Sequence, residues 1–122
     1  MKRYISSSSE IFGMANLSMK RTGLPVVIWS DHQGVSRSLK HSIPRLKIGR
    51  VGEFDISVSI SSEPKILAKS SGITQSQLKL CKSAIQYVAD NYDLFLKHYN
   101  DTNEEFDDED LYEALRERGC FH

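Results

Sequence analysis

The alternation of apolar and polar positions is clearest between Phe54 and Ser61. Phe54, Ile56, Val58 and Ile60 alternate strictly with Asp55, Ser57, Ser59 and Ser61, the period of a strand with one face on a core and the other in water. A slip of one residue would turn that whole polar set inward, so the register is strongly specified. Ahead of it, Leu46 and Ile48 alternate with Arg45 and Lys47 after Pro44, which predicts a second strand. Gly49-Arg50-Val51-Gly52 supplies the hairpin between the two. Val26-Val27-Ile28-Trp29 is β-branched and aromatic and predicts a third strand.

After Gly72 the period lengthens. Leu78, Cys81, Ile85, Val88, Tyr92, Phe95 and Tyr99 fall at alternating steps of three and four, one continuous stripe. Thr74 and Gln77 have the form of a capping box, and Ile73 and Leu78 have the spacing of a hydrophobic staple. One long helix is therefore expected from Gln75 to Tyr99, about 37 Å at 1.5 Å per residue, enough to cover a three-stranded sheet. Asn91 and Asp93 are where it would bend or end early.

Weaker signals fill the remainder. Ser7 and Glu10 have capping-box form and predict a short opening helix carrying Ile11, Phe12, Met14, Ala15 and Leu17, which Thr22-Gly23-Leu24-Pro25 breaks. Asp31-His32-Gln33-Gly34 is turn chemistry and leads into an irregular basic stretch as far as His41. Pro64 suits the first turn of a short helix carrying Ile66 and Leu67, terminated by Ser70-Ser71-Gly72. Phe106, Asp107, Asp110 and Leu111 occupy staple and cap positions of a last helix, with Arg116 and Arg118 in its final turn and Gly119 beyond. The expected fold is α+β: a three-stranded antiparallel sheet packed against one long helix, with a short N-terminal helix and an acidic C-terminal helix. Residues 1–100 are expected to form a single domain and residues 101–122 an acidic helical extension.

At 122 residues, 39% hydrophobic and 26% charged, the composition is that of one globular domain and excludes collagen-like and disordered classes. No apolar run approaches the roughly 20 residues that cross a bilayer. Met1-Lys2-Arg3-Tyr4-Ile5 leads into serines rather than an apolar signal core, so a cytoplasmic protein without a membrane partner is expected. Cys81 and Cys120 are too few for a disulfide framework and form no CxxC pair.

Charge changes the picture more. Sixteen basic and sixteen acidic groups sum to zero, but residues 1–60 hold nine against four, residues 61–97 five against three, and residues 98–122 two against nine. Two poles result, and either could be the functional one, because such asymmetry bears on partners and association rates.

Little of the chemistry of catalysis is present. Gly49 and Gly52 lack the spacing of a phosphate-cradling loop, so no nucleotide cofactor is expected. His32 and His41 are nine residues apart, and Cys120-Phe121-His122 lacks a second ligand pair, so no metal is expected. Cys81 lies in the apolar stripe, where a cysteine behaves as a small hydrophobe. Glu53 and Asp55 share one side of their strand, continued by serines as a solvated face. No G-x-S-x-G elbow gives weight to any Ser, His and Asp set. A small hydrolase is thus the minor alternative, and the expectation is a protein that is not an enzyme.

Two surface groups remain. Trp29, His32, Arg37, Lys40, His41, Arg45, Lys47 and Arg50 combine cations with an aromatic ring. They could follow a phosphate backbone while Trp29 stacks on a base, as a nucleic-acid-binding module does; the alternative is a solvated face with Trp29 in the core. Asp101, Glu104, Glu105, Asp107, Asp108, Glu109, Asp110 and Glu113 could instead present a phosphate-like pattern to an arginine-rich groove on another protein, or fold back on the basic face. A solubilising tail is the alternative there. Neither group specifies an oligomeric state.

Thr22-Gly23-Leu24-Pro25-Val26-Val27-Ile28-Trp29, His41-Ser42-Ile43-Pro44-Arg45-Leu46-Lys47 and the stretch from Ile60 to Ala68 resemble a family of small, largely uncharacterised proteins encoded in bacterial prophages and other mobile elements. The resemblance covers about residues 1–100 and leaves out the acidic end. It brings no catalytic residue with it. It implies a context: a small phage accessory protein that acts stoichiometrically on a bacterial protein or protein–nucleic-acid complex, an anti-CRISPR-like nuclease inhibitor being one version.

Overall fold

The computed structural model describes residues 15–31, 43–101 and 103–121. The expected opening helix up to Met14, the turn at His32-Gln33-Gly34 and the basic stretch to His41 lie outside them.

The described chain is α+β, and its sheet has five strands, two more than expected. They are β1 (Ala15–Leu17), β2 (Val27–Ser30), β3 (Arg45–Arg50), β4 (Phe54–Ser59) and β5 (Ile66–Lys69), antiparallel and in sequence order across the sheet. Helix α1 (Met19–Thr22) joins β1 to β2, while α2 (Gln75–Leu80), α3 (Lys82–Asp90), α4 (Tyr92–Tyr99) and α5 (Asp108–Glu117) follow the sheet.

Both additional strands arise where a helix was expected. Ala15 and Leu17 have a helix-compatible composition, yet Ala15 pairs Ser30 and Leu17 pairs Ile28, and both side chains are fully buried. Ile66 and Leu67 follow Pro64 as a first helical turn would, but β4 has an unpaired edge there. The Ser59 N–H donates to the Lys65 carbonyl and the Ser70 N–H to that of Asp55. A buried strand that has donors and acceptors to satisfy overrides a weak local preference. The first hairpin also tightens. β3 runs on through Gly49 and Arg50, with Gly49 opposite Asp55 and Arg50 opposite Phe54.

Ile28, Ile48 and Ile56 lie side by side in the ladder and are fully buried. They face the helices, and with Cys81, Val88, Phe95, Leu111 and Leu115 they form one core. The expected long helix is three consecutive segments broken at Cys81 and Asn91. Its N-terminus is as expected, since the Thr74 hydroxyl accepts from the Gln77 N–H and the Gln77 side chain accepts from the Thr74 N–H. At Asn91 (φ −124°, ψ 25°) the helix breaks, and the buried face runs through Cys81, Ala84, Val88, Asn91, Phe95 and His98, with Ala84 and Asn91 in the places expected for Ile85 and Tyr92. Asn91, Phe95, His98 and Tyr99 are now buried, while Tyr92 of the expected stripe is 39% exposed.

Arg118 fastens this corner with a bidentate pair to Asp93 (3.0 and 2.6 Å) and a bond to Asn91 Oδ1 (3.1 Å). The hydrogen bond from Arg118 holds the Asp93 carboxyl below its ordinary range. Cys81 is fully buried, and burial pushes its thiol up, whereas Cys120 is partly exposed. Native protein treated with a chromogenic disulfide reagent near neutral pH is expected to release one thiol equivalent, from Cys120, and the second only in denaturant. Two equivalents released at the same rate without denaturant would contradict this placement of Cys81.

Candidate functional site

Helix α5 carries most of the acidic pole, and its start is built from local signals. Asp107 caps it by accepting from the Asp110 N–H (3.0 Å), and Asp110 returns the bond by accepting from the Asp107 N–H (3.1 Å). Phe106 and Leu111 flank the cap as a buried staple. Asp108, Glu109 and Asp110 in the first turn also meet the positive end of the helix dipole.

Its attachment to the sheet is a buried polar bridge. The His98 Nε2–H donates to Asp108 Oδ1 (2.7 Å), and Nδ1 shares a hydrogen bond with the Ser30 hydroxyl (3.0 Å). One imidazole thus joins β2, α4 and α5. A serine, a histidine and an aspartate in series are the components of an acyl-transfer triad. Here, however, Ser30 and His98 are both 0% exposed, so a substrate does not reach the hydroxyl in this conformation. The bridge acts as a latch that turns α5 into a fixed element. Sequence reasoning missed it, although the signal was present: His98 follows Phe95 by three and Asn91 by seven, on the face that also carries Cys81, Ala84 and Val88.

The other side of α5 closes an edge of the sheet. The Asn16 N–H on β1 donates to the Tyr112 hydroxyl (3.0 Å), and the Arg21 guanidinium stacks 4.4 Å from the centre of the Tyr112 ring. Burial raises the Tyr112 phenol, and the Asp108 and Glu109 carboxylates add to it.

The acidic residues therefore divide. Asp107 and Asp110 complete the cap and Asp108 holds His98, while Glu104, Glu105, Glu109 and Glu113 are exposed. Glu113 pairs with Arg116 one turn on. The basic group also divides. Trp29, Arg45 and Lys47 share the sheet face turned away from the helices, but the Trp29 ring is 6% exposed and offers no open face to a base. Arg50 is at the hairpin end, its Nε–H donating to the Pro25 carbonyl (2.9 Å). His32, Arg37, Lys40 and His41 lie outside the described residues.

Among the described residues no group of three or more His, Cys, Asp and Glu side chains is placed to hold a metal ion, and no helix is long and apolar enough to cross a membrane. Comparison with protein-family models gives no match, and no curated protein or solved structure is significantly similar to this chain.

Proposed function

We propose that this protein acts stoichiometrically by binding, and that α5 is the surface it offers to a basic bacterial protein or protein–nucleic-acid complex. The observation that carries this reading is the latch. Leu111 and Leu115 are fully buried and Asp108 is bonded to His98, so Glu109 and Glu113 project from an ordered helix rather than a solvated tail, with Glu104 and Glu105 exposed in the bend just before it. A docked helix gives up little backbone freedom when a partner closes on it. Carboxylates at this density also steer a cationic partner over distances set by the Debye length, about 10 Å at 0.1 M salt and 3 Å at 1 M. In the context of a phage accessory protein, one concrete version is an inhibitor seated in the basic nucleic-acid channel of a CRISPR-type nuclease.

The test uses the full chain with Glu104, Glu105, Glu109 and Glu113 all changed to glutamine, a set that spares the cap and the latch. Wild-type protein immobilised at low ionic strength is expected to capture a basic partner from nuclease-treated bacterial lysate and release it at high salt. The four-glutamine variant is expected to capture none while keeping the wild-type melting temperature. Equal capture by both proteins would end this reading.

A further inference from the structure

The contacts that hold α5 do not depend on which copy of the chain supplies it. Leu111 and Leu115 are fully buried in the core, Asp108 bonds to His98, the Tyr112 hydroxyl accepts from the Asn16 N–H, and Arg118 pairs with Asp93. Each of these joins residues 106–121 to the rest of the domain. What assigns that segment to its own domain is the turn between Tyr99, where α4 ends, and Asp107, the cap of α5.

That turn is strained. Glu104 has a φ of 61°, and among the described residues it is the one non-glycine with a positive φ. A left-handed backbone crowds Cβ against the following carbonyl oxygen, which glycine escapes. Glu104 is exposed, so burial of its side chain does not offset the crowding. The Glu105 N–H donates to the Asp101 carboxylate (2.8 Å) and closes the turn around it. An extended hinge would relieve Glu104 and carry α5 away from its own domain, where the same contacts can be remade on a second copy. Short hinges under strain favour exchange of this kind, and a chain end can be exchanged without threading.

We propose that two copies of this chain exchange α5, forming a two-fold dimer in which the hinge at Glu104 is extended and each domain holds the helix of its partner. The contacts of α5 are kept and only the turn changes. Monomer and dimer then differ by the relief of two hinges set against the freedom lost on association. The dimer therefore grows with concentration, and it forms slowly because α5 must first leave the core. It displays two acidic helices, whatever they bind.

Full-length protein is refolded from denaturant at increasing concentration, and its mass is followed by light scattering and native mass spectrometry. A concentration-dependent dimer is expected. Glu104→Gly accepts the left-handed turn and is expected to weaken that dimer about tenfold. Glu104→Pro fixes φ at about −65° and holds Asn103 extended, so the closed turn is lost and the dimer is expected to strengthen about tenfold.

A charge exchange distinguishes this dimer from any other. Asp93 and Arg118 are both exposed, so their variants leave the core intact. Asp93→Arg and Arg118→Asp each set like charges together where the two residues meet. Refolded as a mixture, an exchanged heterodimer restores opposite charges at both such corners, which neither variant achieves alone. The mixed dimer is expected to outnumber either homodimer well beyond its random share. Wild-type protein that stays monomeric at every concentration would overturn the proposal. So would a Glu104→Pro protein no more dimeric than Glu104→Gly, or random pairing of the two charge variants.

Discussion

Changing His98 to alanine is expected to lower the unfolding free energy by about 4 kcal/mol, the combined cost of a core cavity and of a buried serine and a half-buried carboxylate losing their bonds to the ring. Ser30 is fully buried and loses its side-chain partner, and Asp108 loses its 2.7 Å bond to the ring. The loss should appear first in α5, because the imidazole is the polar tie between that helix and β2. Hydrogen exchange of residues 108–117 is therefore expected to accelerate well before that of β3 and β4. Asp108→Asn keeps one oxygen for the Nε2–H while removing the charge and the second acceptor oxygen, so its cost should be nearer 1 kcal/mol. An alanine variant that melts with wild type, or that exchanges uniformly faster, would show that the bridge does not hold the helix. Losing the latch should also weaken partner capture through α5.

The second large effect is expected at Gly49. A Cβ built there would run into the Phe54 carbonyl oxygen and lie 2.7 Å from the Asp55 Cα, both backbone atoms of the neighbouring strand. No side chain can rotate out of the way, so β3 and β4 must separate. Gly49→Ala is expected to cost about 3 kcal/mol, or about 10 °C in melting temperature for a domain of this size. Gly52 makes the contrast. It has a positive φ of 75° with no atom within 4 Å of a built Cβ, so alanine there meets backbone preference alone and should cost about 1 kcal/mol. Equal melting temperatures for the two alanine variants would refute the close approach at Gly49.

Much of this architecture was legible in the sequence where one local rule decided the outcome. β4 reads directly from strict alternation, and the caps of α2 and α5 read from Thr74 with Gln77 and from Asp107 with Asp110. Parts settled by distant partners were not. Ala15–Leu17 is a strand because Ser30, Trp29 and Ile28 lie beside it, and Ile66–Lys69 is a strand because β4 has an edge to fill. The stripe expected through Ile85 and Tyr92 is one residue out of phase with the buried face through Ala84 and Asn91, which is set by packing on the sheet and by Arg118. That same shift of register brings His98 into the core, so the error about the helix and the missed latch have one cause. The sites divide likewise. Charge segregation pointed to both poles, but the internal duties of Asp107, Asp108 and Asp110, and the burial of Trp29, depend on cross-strand and cross-helix neighbours.

The bond from the Asn16 N–H to the Tyr112 hydroxyl joins residues 96 positions apart. Synthesis delivers β1 long before Tyr112, so until α5 is made the Asn16 N–H lacks this cover, and an open strand edge is a template for pairing with other chains. Closure of that edge is among the most non-local steps in the fold and so among the slowest expected. Helix α5 thus shields β1 from aggregation, quite apart from anything it binds.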